Sequence, residues 1–335
     1  GFNRVFGYYI EVTKVHQDKV PESFIRKQTL VNSERYITEE LKEYEDKILN
    51  AEEKIFTIES NIFSELCQFL LGAISDIHTN AKAINRMDLL LGFSATSLNQ
   101  NFVRPELTNK PELEINQGRH PVVEQLLPST EKFIPNDLSI DSKINQIHLI
   151  TGPNMAGKST YLRQVGLIVL MAQIGSFVPA KSAKIGTVDR LFTRGGASDN
   201  LAGGESTFLV EMNEAANILN NASNRSLILL DEIGRGTATF DGLSLAWAIT
   251  EYLHQNEDVA ARTIFATHYH ELVELAEKLK SAKNYNIEVK EENGNLIFLR
   301  KIIKGGTDKS YGIHVAKMAG VPTDVVNRAI RVLSG

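Results

Sequence analysis

The sequence predicts an α/β fold with a mainly parallel sheet covered by helices. Three observations predict it. Beyond about residue 100, short apolar segments that read as strands alternate with segments that read as helices. One strand-to-helix junction is Gly152-Pro-Asn-Met-Ala-Gly-Lys-Ser159, whose glycines suit a tight backbone turn. Ahead of this region, apolar residues recur at every seventh position, as in a long helix packed lengthwise.

At 335 residues, and with about 150 residues per domain, two domains are expected. A chain with 42% hydrophobic and 23% charged residues is ordinary for a globular protein, which excludes collagen-like and disordered classes. The single cysteine, Cys67, excludes an intrachain disulfide and fits a reducing, cytoplasmic compartment. The longest apolar stretch, Val165 to Ala180, is interrupted by Gln173 and Ser176 and is too short to span a bilayer, so no membrane partner is expected. No signal-peptide pattern opens the chain, and a start at Gly1 without Met predicts a piece of something longer. The net charge of −5 means that any nucleic acid must be held by a local patch rather than by bulk charge.

Residues 1–36 read as β structure, with Arg4-Val-Phe-Gly-Tyr-Tyr-Ile-Glu-Val-Thr13 rich in β-branched and aromatic side chains. Residues 1–35 carry six basic and four acidic residues, a pattern that fits a phosphate-binding face or a solvated loop face equally well. Residues 37–100 read as helices. Thr38 is the N-cap, followed by Glu39 and Glu40 where the helix dipole favours acids. Leu41, Ile48, Ile55, Ile62 and Phe69 form the seven-residue seam. Glu65 breaks a second seam, which predicts an intrachain helical pair rather than a dimeric coiled coil. A separate second helix is expected at about 80–96. From Phe102 the prolines multiply, so a boundary is placed near residue 100 and the α/β region is 101–335. Strands are predicted at 146–151, 226–231 and 262–267, and helices at 158–173, 207–220, 242–255 and 270–279. A hairpin is predicted over 284–291 and 296–303 with Asn293-Gly294 as its turn.

The junction at 152–159 matches G-x-x-x-x-G-K-[ST] after an apolar strand and before a helix, the pattern whose backbone N–H groups cradle phosphates. Gly152, Pro153, Asn154, Met155, Ala156, Gly157, Lys158, Ser159 and Thr160 are therefore expected to bind a nucleotide. Lys158 would reach the β- and γ-phosphates, and Ser159 would ligate Mg²⁺. The buried strand Leu227-Ile-Leu-Leu-Asp231 delivers Asp231 to the ligand end of the sheet as a Mg²⁺ partner, with Glu232 next to it to polarise a water. A third apolar strand ends at Thr267-His268, where His268 contacts the γ-phosphate, positions the water or serves a structural role. Leu201-Ala-Gly-Gly-Glu205-Ser206 opens another helix. It is either an ordinary cap or a second anion site that would serve another subunit.

Taken together, Gly152 to Tyr161, Asp231-Glu-Ile-Gly-Arg-Gly-Thr237, Phe240-Asp-Gly-Leu-Ser244 and Phe265-Ala-Thr-His-Tyr269 resemble the ATPase domain of the MutS family of DNA mismatch-repair proteins. Gly118-Arg-His-Pro-Val122 and Ser310-Tyr-Gly312 are similar too. Val5 to Thr13 and Arg26-Lys-Gln-Thr-Leu30 resemble the family's clamp region, so the likeness covers nearly the whole chain. The resemblance implies ABC-type ATP sites shared between two subunits of a homodimer, with Ser206 acting on the partner's nucleotide. It implies that Phe133 and Ile134 pack on adenine, and that Arg4, Lys14, Arg26 and Lys27 lie where the clamp touches DNA phosphates. It also implies ATP and Mg²⁺ as cofactors, Glu232, His268 and Lys158 as catalytic residues, mismatched duplex DNA as the target, MutL as a downstream partner, and a bacterial, nucleoid-associated location. Residues 1–36 would then be a partial clamp, 37–100 lever helices and 101–335 the ATPase domain. In the family the mismatch-reading Phe-x-Glu motif lies in an N-terminal domain outside the stretch that the resemblance covers, which predicts weak, sequence-blind DNA binding by this chain. Val325 to Ile330 resembles the start of the family's terminal dimer contact.

The alternative is an ABC-type motor of a transporter or a chromosome-structuring complex. Only 41 residues separate Ser159 from Leu201, which leaves little room for a transporter's helical subdomain or for an inserted coiled coil. The clamp-like N-terminus argues against the MutS-like group that carries a nuclease domain.

Overall fold

The computed structural model describes residues 1–153, 156–195, 207–292, 295–307 and 311–333, and the chain divides into two compact units, Gly1–Asp88 and Leu89–Gly335. The first unit begins with β1 (Phe2–Asn3) and β2 (Gly7–Tyr8), an antiparallel pair. β3 (Ile10–Thr13), a 3-10 helix at Lys14–Lys19, β4 (Ile25–Thr29) and β5 (Ser33–Ile37) follow. The three strands form an antiparallel sheet in the order β3-β5-β4, with a register shift between Arg26 and Gln28. This sheet is too small for a large apolar core. Its centre is the buried carboxylate of Glu34, which accepts from Tyr36 Oη at 2.5 Å and Gln17 Nε2 at 3.1 Å and pairs with Arg26 at 3.4 Å. A buried charge is tolerable when its lone pairs are satisfied in this way.

α1 (Glu39–Leu49) is capped as expected, Thr38 Oγ1 accepting from Leu41 N at 3.0 Å. α2 (Ala51–Asn99) is continuous, and the division between the two units falls within it. The separate helix expected at 80–96 is therefore a correction: the chain breaks at Asn50 instead, and no proline interrupts residues 51–99. The expected intrachain helical pair is also absent among the described residues. Ile48, Ile55, Ile62 and Phe69 are 54, 54, 61 and 77% exposed. A seven-residue period marks an apolar face but does not specify what covers it.

The second unit continues with β6 (Glu106–Thr108), β7 (Leu113–Gly118), α3 (Val123–Leu126), β8 (Asn136–Ile140), β9 (Ile147–Thr151) and α4 (Lys158–Gln173). Then come β10 (Ser182–Gly186), β11 (Leu191–Arg194), α5 (Thr207–Asn221), β12 (Leu227–Asp231) and α6 (Thr239–Gln255). β13 (Arg262–Ala266), a 3-10 turn at His270–Glu274, α7 (Leu275–Lys278), β14 (Ala282–Glu292), β15 (Asn295–Lys304), α8 (Gly312–Met318) and α9 (Thr323–Leu333) complete it. The main sheet runs β11-β12-β13-β9-β14-β15 and is parallel except for β15, which pairs antiparallel with β14. α4 has its predicted bounds, and the three predicted strands agree within one residue at each end. The helix expected at 270–279 is instead a 3-10 turn running into one short α turn. The hairpin pairs as expected, although Asn293 and Gly294 themselves lie outside the described residues.

β9, β12 and β13 are buried at every position, so both faces of the sheet are covered. Side chains alternate between faces along a strand. Leu227, Leu229, Ile264 and Ile150 accordingly join a cluster with α4, while Ile228, Leu230, Phe265 and Leu149 join one with α5 and α6. A second sheet, β6-β10-β7-β8, packs into the α4 cluster through Leu113, Ile115, Leu138 and Ile185. Nothing in the sequence pattern had marked it as one sheet.

Candidate functional site

The parallel strands deliver their C-terminal ends to one edge of the sheet. β13 lies between β9 and β12, so the loop after β9 and the acids after β12 meet across the end of β13. Gly152 and Gly157 have φ of +140° and +109°. The left-handed value at Gly157, the N-cap of α4, is one that only glycine adopts without strain. Asn154 and Met155 lie outside the described residues, while Ala156 is buried beneath the turn.

Lys158 is the first residue of α4 and only 4% exposed. Its Nζ donates to Gly152 O at 2.6 Å and Pro153 O at 3.1 Å, and lies 3.8 Å from Glu232 Oε1. Burial holds the ammonium below its usual range, and the carboxylates of Glu232 and Asp231 oppose that shift. Glu232 carries φ +56°, unusual for a residue with a side chain and a local strain of about 1 kcal/mol. Its N–H nevertheless extends the ladder to Ala266 O at 2.9 Å, and its Oε2 pairs with Arg235 at 2.5 Å. Pro153, Gly157, Lys158, Ser159, Thr160, Glu232 and Arg235 line one cavity of about 310 Å³.

Asp231 is buried, and its Oδ1 has no hydrogen-bonding partner among the described residues. Ser159 and Asp231 share the wall of a neighbouring cavity. His268 follows β13, half-buried against the Tyr269 ring at 4.1 Å. Burial lowers its pKa and Glu232 opposes the shift, so the ring is neutral near pH 7. His270 is engaged elsewhere, with Nδ1 2.8 Å from Thr307 O. Among the described residues no group of three or more His, Cys, Asp or Glu is arranged to hold a metal ion.

On the other side of Gly157, a cavity of about 230 Å³ is lined by Phe133, Ile134, Thr160, Tyr161, Arg300 and neighbours. Asn136 ties its walls together, donating to Arg300 O at 3.0 Å and accepting from Ile302 N at 2.8 Å. The cavity thus places Phe133 and Ile134 beside Gly157 and Thr160. Arg300 and Arg235 are two wall residues that sequence reasoning missed. Arg235 stands in a quoted motif and could have been found there, whereas Arg300 sits in a hairpin strand with no local signal. Ser206 lies outside the described residues. Arg4, Lys14, Arg26 and Lys27 are all exposed on the first unit, with Arg26 held to Glu34.

The edge of the sheet therefore gathers backbone donors, a buried ammonium and two carboxylates around one turn. That is a donor set suited to a metal-bound polyphosphate. Fold and site together define an α/β domain with a mixed sheet and a P-loop at the ends of its parallel strands. Residues 148–335 match the family model for MutS domain V and residues 1–54 that for MutS family domain IV. The chain belongs to the MutS family. It is 61% identical over 333 residues to the DNA mismatch repair protein MutS of Salinibacter ruber, covering 99% of this chain and 37% of that protein. Against the proteins of the same name from Bacteroides thetaiotaomicron and Acetivibrio thermocellus the identities are 59% and 56%, again over 99% of this chain and 38% of theirs. The chain thus spans less than two-fifths of the length of these relatives. No helix among the described residues is long and apolar enough to cross a membrane.

Proposed function

We propose that this chain binds and hydrolyses ATP as part of a DNA mismatch-repair protein and couples the nucleotide cycle to a clamp on DNA. The observation that carries the reading is the meeting of Lys158, Ser159 and Glu232 in one cavity beside the P-loop, with Asp231 at the adjoining wall. Ser159 and Asp231 would hold Mg²⁺, and the unpartnered, buried Oδ1 of Asp231 fits that role. The ion supplies charge neutralisation at the β- and γ-phosphates. Lys158 donates to phosphate oxygens. Glu232 accepts the proton of the attacking water, oriented by its pairing with Arg235. Neutral His268 positions the water or contacts the γ-phosphate. Phe133 and Ile134 wall the base, and Arg300 offers a guanidinium to its face.

Ser206 would complete the partner's site in a homodimer. Residues 1–36 would form part of the clamp, with Arg4, Lys14, Arg26 and Lys27 on DNA phosphates, and the helices of 37–100 would act as a lever. MutL would read the state of the clamp, and the setting would be the bacterial cytoplasm at the nucleoid. Light scattering on Glu232→Gln with and without Mg-ATP tests this. A dimer that forms only with ATP supports the shared site. A monomer that binds ATP removes the role of Ser206 in this chain, and failure to bind ATP at all overturns the reading.

A further inference from the structure

Two of the hydrogen bonds that hold the loop carrying Glu232 and Arg235 are made by one residue, Gly234. Its N–H donates to Glu211 Oε1 at 2.5 Å, and its carbonyl accepts from Tyr269 Oη at 3.0 Å. Both bonds are buried. Glu211 is 3% exposed and comes from the first turns of α5, with its Oε2 3.5 Å from Arg194 Nη2 at the end of β11. Tyr269 follows His268 directly. Three elements remote from one another in sequence thus converge on one residue.

The backbone leaves this loop little alternative. Gly234 has φ +92° and packs on Gly242 at the start of α6, so closely that a Cβ on Gly234 would come within 2.6 Å of Gly242 Cα. Glu232, two residues earlier, is in a left-handed conformation that its own side chain disfavours. A strained conformation persists only where its surroundings hold it, and the two buried hydrogen bonds at Gly234 add to the Glu232 N–H bond to Ala266 O in that hold. Burial and the nearby Glu211 carboxylate push the Tyr269 phenol up, so its hydroxyl remains a donor.

We propose that Glu211 and Tyr269 are positioning residues for ATP hydrolysis, clamping the two peptide groups that flank the Gly234 Cα so that Glu232 is held over the reacting water. This rests on the reading of Glu232 as the base. Neither residue lines the nucleotide cavities. They act on turnover and not on nucleotide affinity. The carboxylate of Glu211 also joins α5, which begins directly after Ser206, to the base of this chain's own site.

The test is steady-state ATP turnover with nucleotide affinity measured separately, on this chain and its variants. Glu211→Ala should lower kcat about 10–100-fold and leave affinity within about twofold, because a misplaced catalytic group costs rate and not binding. Glu211→Gln, which keeps an acceptor for the Gly234 N–H, should restore most of the loss. Tyr269→Phe, which deletes one hydroxyl, should lower kcat with unchanged affinity. In a Glu232→Gln background, Glu211→Ala should have little further effect, since it acts through that side chain. Unchanged kcat in Glu211→Ala overturns the proposal, as does an equal loss of kcat and affinity, which would mark a merely structural residue. A parent chain with no turnover sensitive to Lys158→Ala overturns the ATPase reading and the proposal with it. Sensitive turnover combined with inert Glu211 and Tyr269 variants overturns the proposal alone.

Discussion

Lys158 Nζ and Glu232 Oε1 stand 3.8 Å apart although they follow strands that are not neighbours, β9 and β12. The two side chains meet over the end of β13, and both are more than four-fifths buried. The pairing sets part of the site's charge balance, with Glu232 shared between Lys158 and Arg235.

Lys158→Ala therefore removes a phosphate donor and also leaves Glu232 with one cation fewer. Nucleotide affinity should fall at least tenfold, read by equilibrium titration with a fluorescent ATP analogue. Unchanged affinity would remove the P-loop assignment.

Glu232→Gln keeps the size of the side chain and abolishes its basicity. Nucleotide binding should persist while turnover slows by about 10²–10⁴-fold. Single-turnover kinetics separate the two, and turnover at the parent rate would take Glu232 out of the mechanism.

His148 sits within β9, buried, stacked on Tyr285 at 4.3 Å, and burial pushes its pKa down to about 3. The unfolded chain titrates near 6.5. Between those values the unfolded state binds the extra proton, so this residue's contribution to stability is complete above about pH 6.5 and is lost as the pH falls. The slope is about 1.4 kcal/mol per pH unit. In His148→Phe the pH dependence of denaturant midpoints over this window should flatten relative to the parent; an identical slope would refute the assignment.

Gly242→Ala would drive a methyl group into the Gly234 carbonyl and the Tyr269 hydroxyl. Overpacking against backbone costs about 1–3 kcal/mol. A melting temperature lowered by several degrees, together with slower turnover, is the expected result.

The clamp reading predicts that Lys27→Ala lowers the log–log salt slope of duplex DNA binding by about 0.9, one phosphate contact. Arg26→Ala should also loosen the small sheet, because Arg26 pairs with buried Glu34. Salt-titrated fluorescence anisotropy with matched and mismatched duplexes measures both slope and discrimination.

What the sequence by itself determined is local. Gly152 and Gly157 announce a turn that needs left-handed backbone, apolar runs such as Leu227 to Leu230 announce buried strands, and Thr38 announces a helix start. Each signal lies within a few residues of its effect, and so the bounds of α4 and of the strands flanking the P-loop were legible. Only the tertiary structure decided which distant residues share a surface. β6, β7, β8 and β10 lack the continuous apolar runs of the main sheet, β7 and β8 being buried only at alternate positions, and their pairing is settled by packing on α4. Arg300 reaches the cavity wall through strand order, and Glu211 reaches the loop behind Glu232 through a buried hydrogen bond to Gly234 N–H. The seven-residue seam of α1 and α2 shows the limit from the other side: its apolar period was read correctly, yet it is exposed, because a pattern along one helix specifies a face and not the surface that meets it.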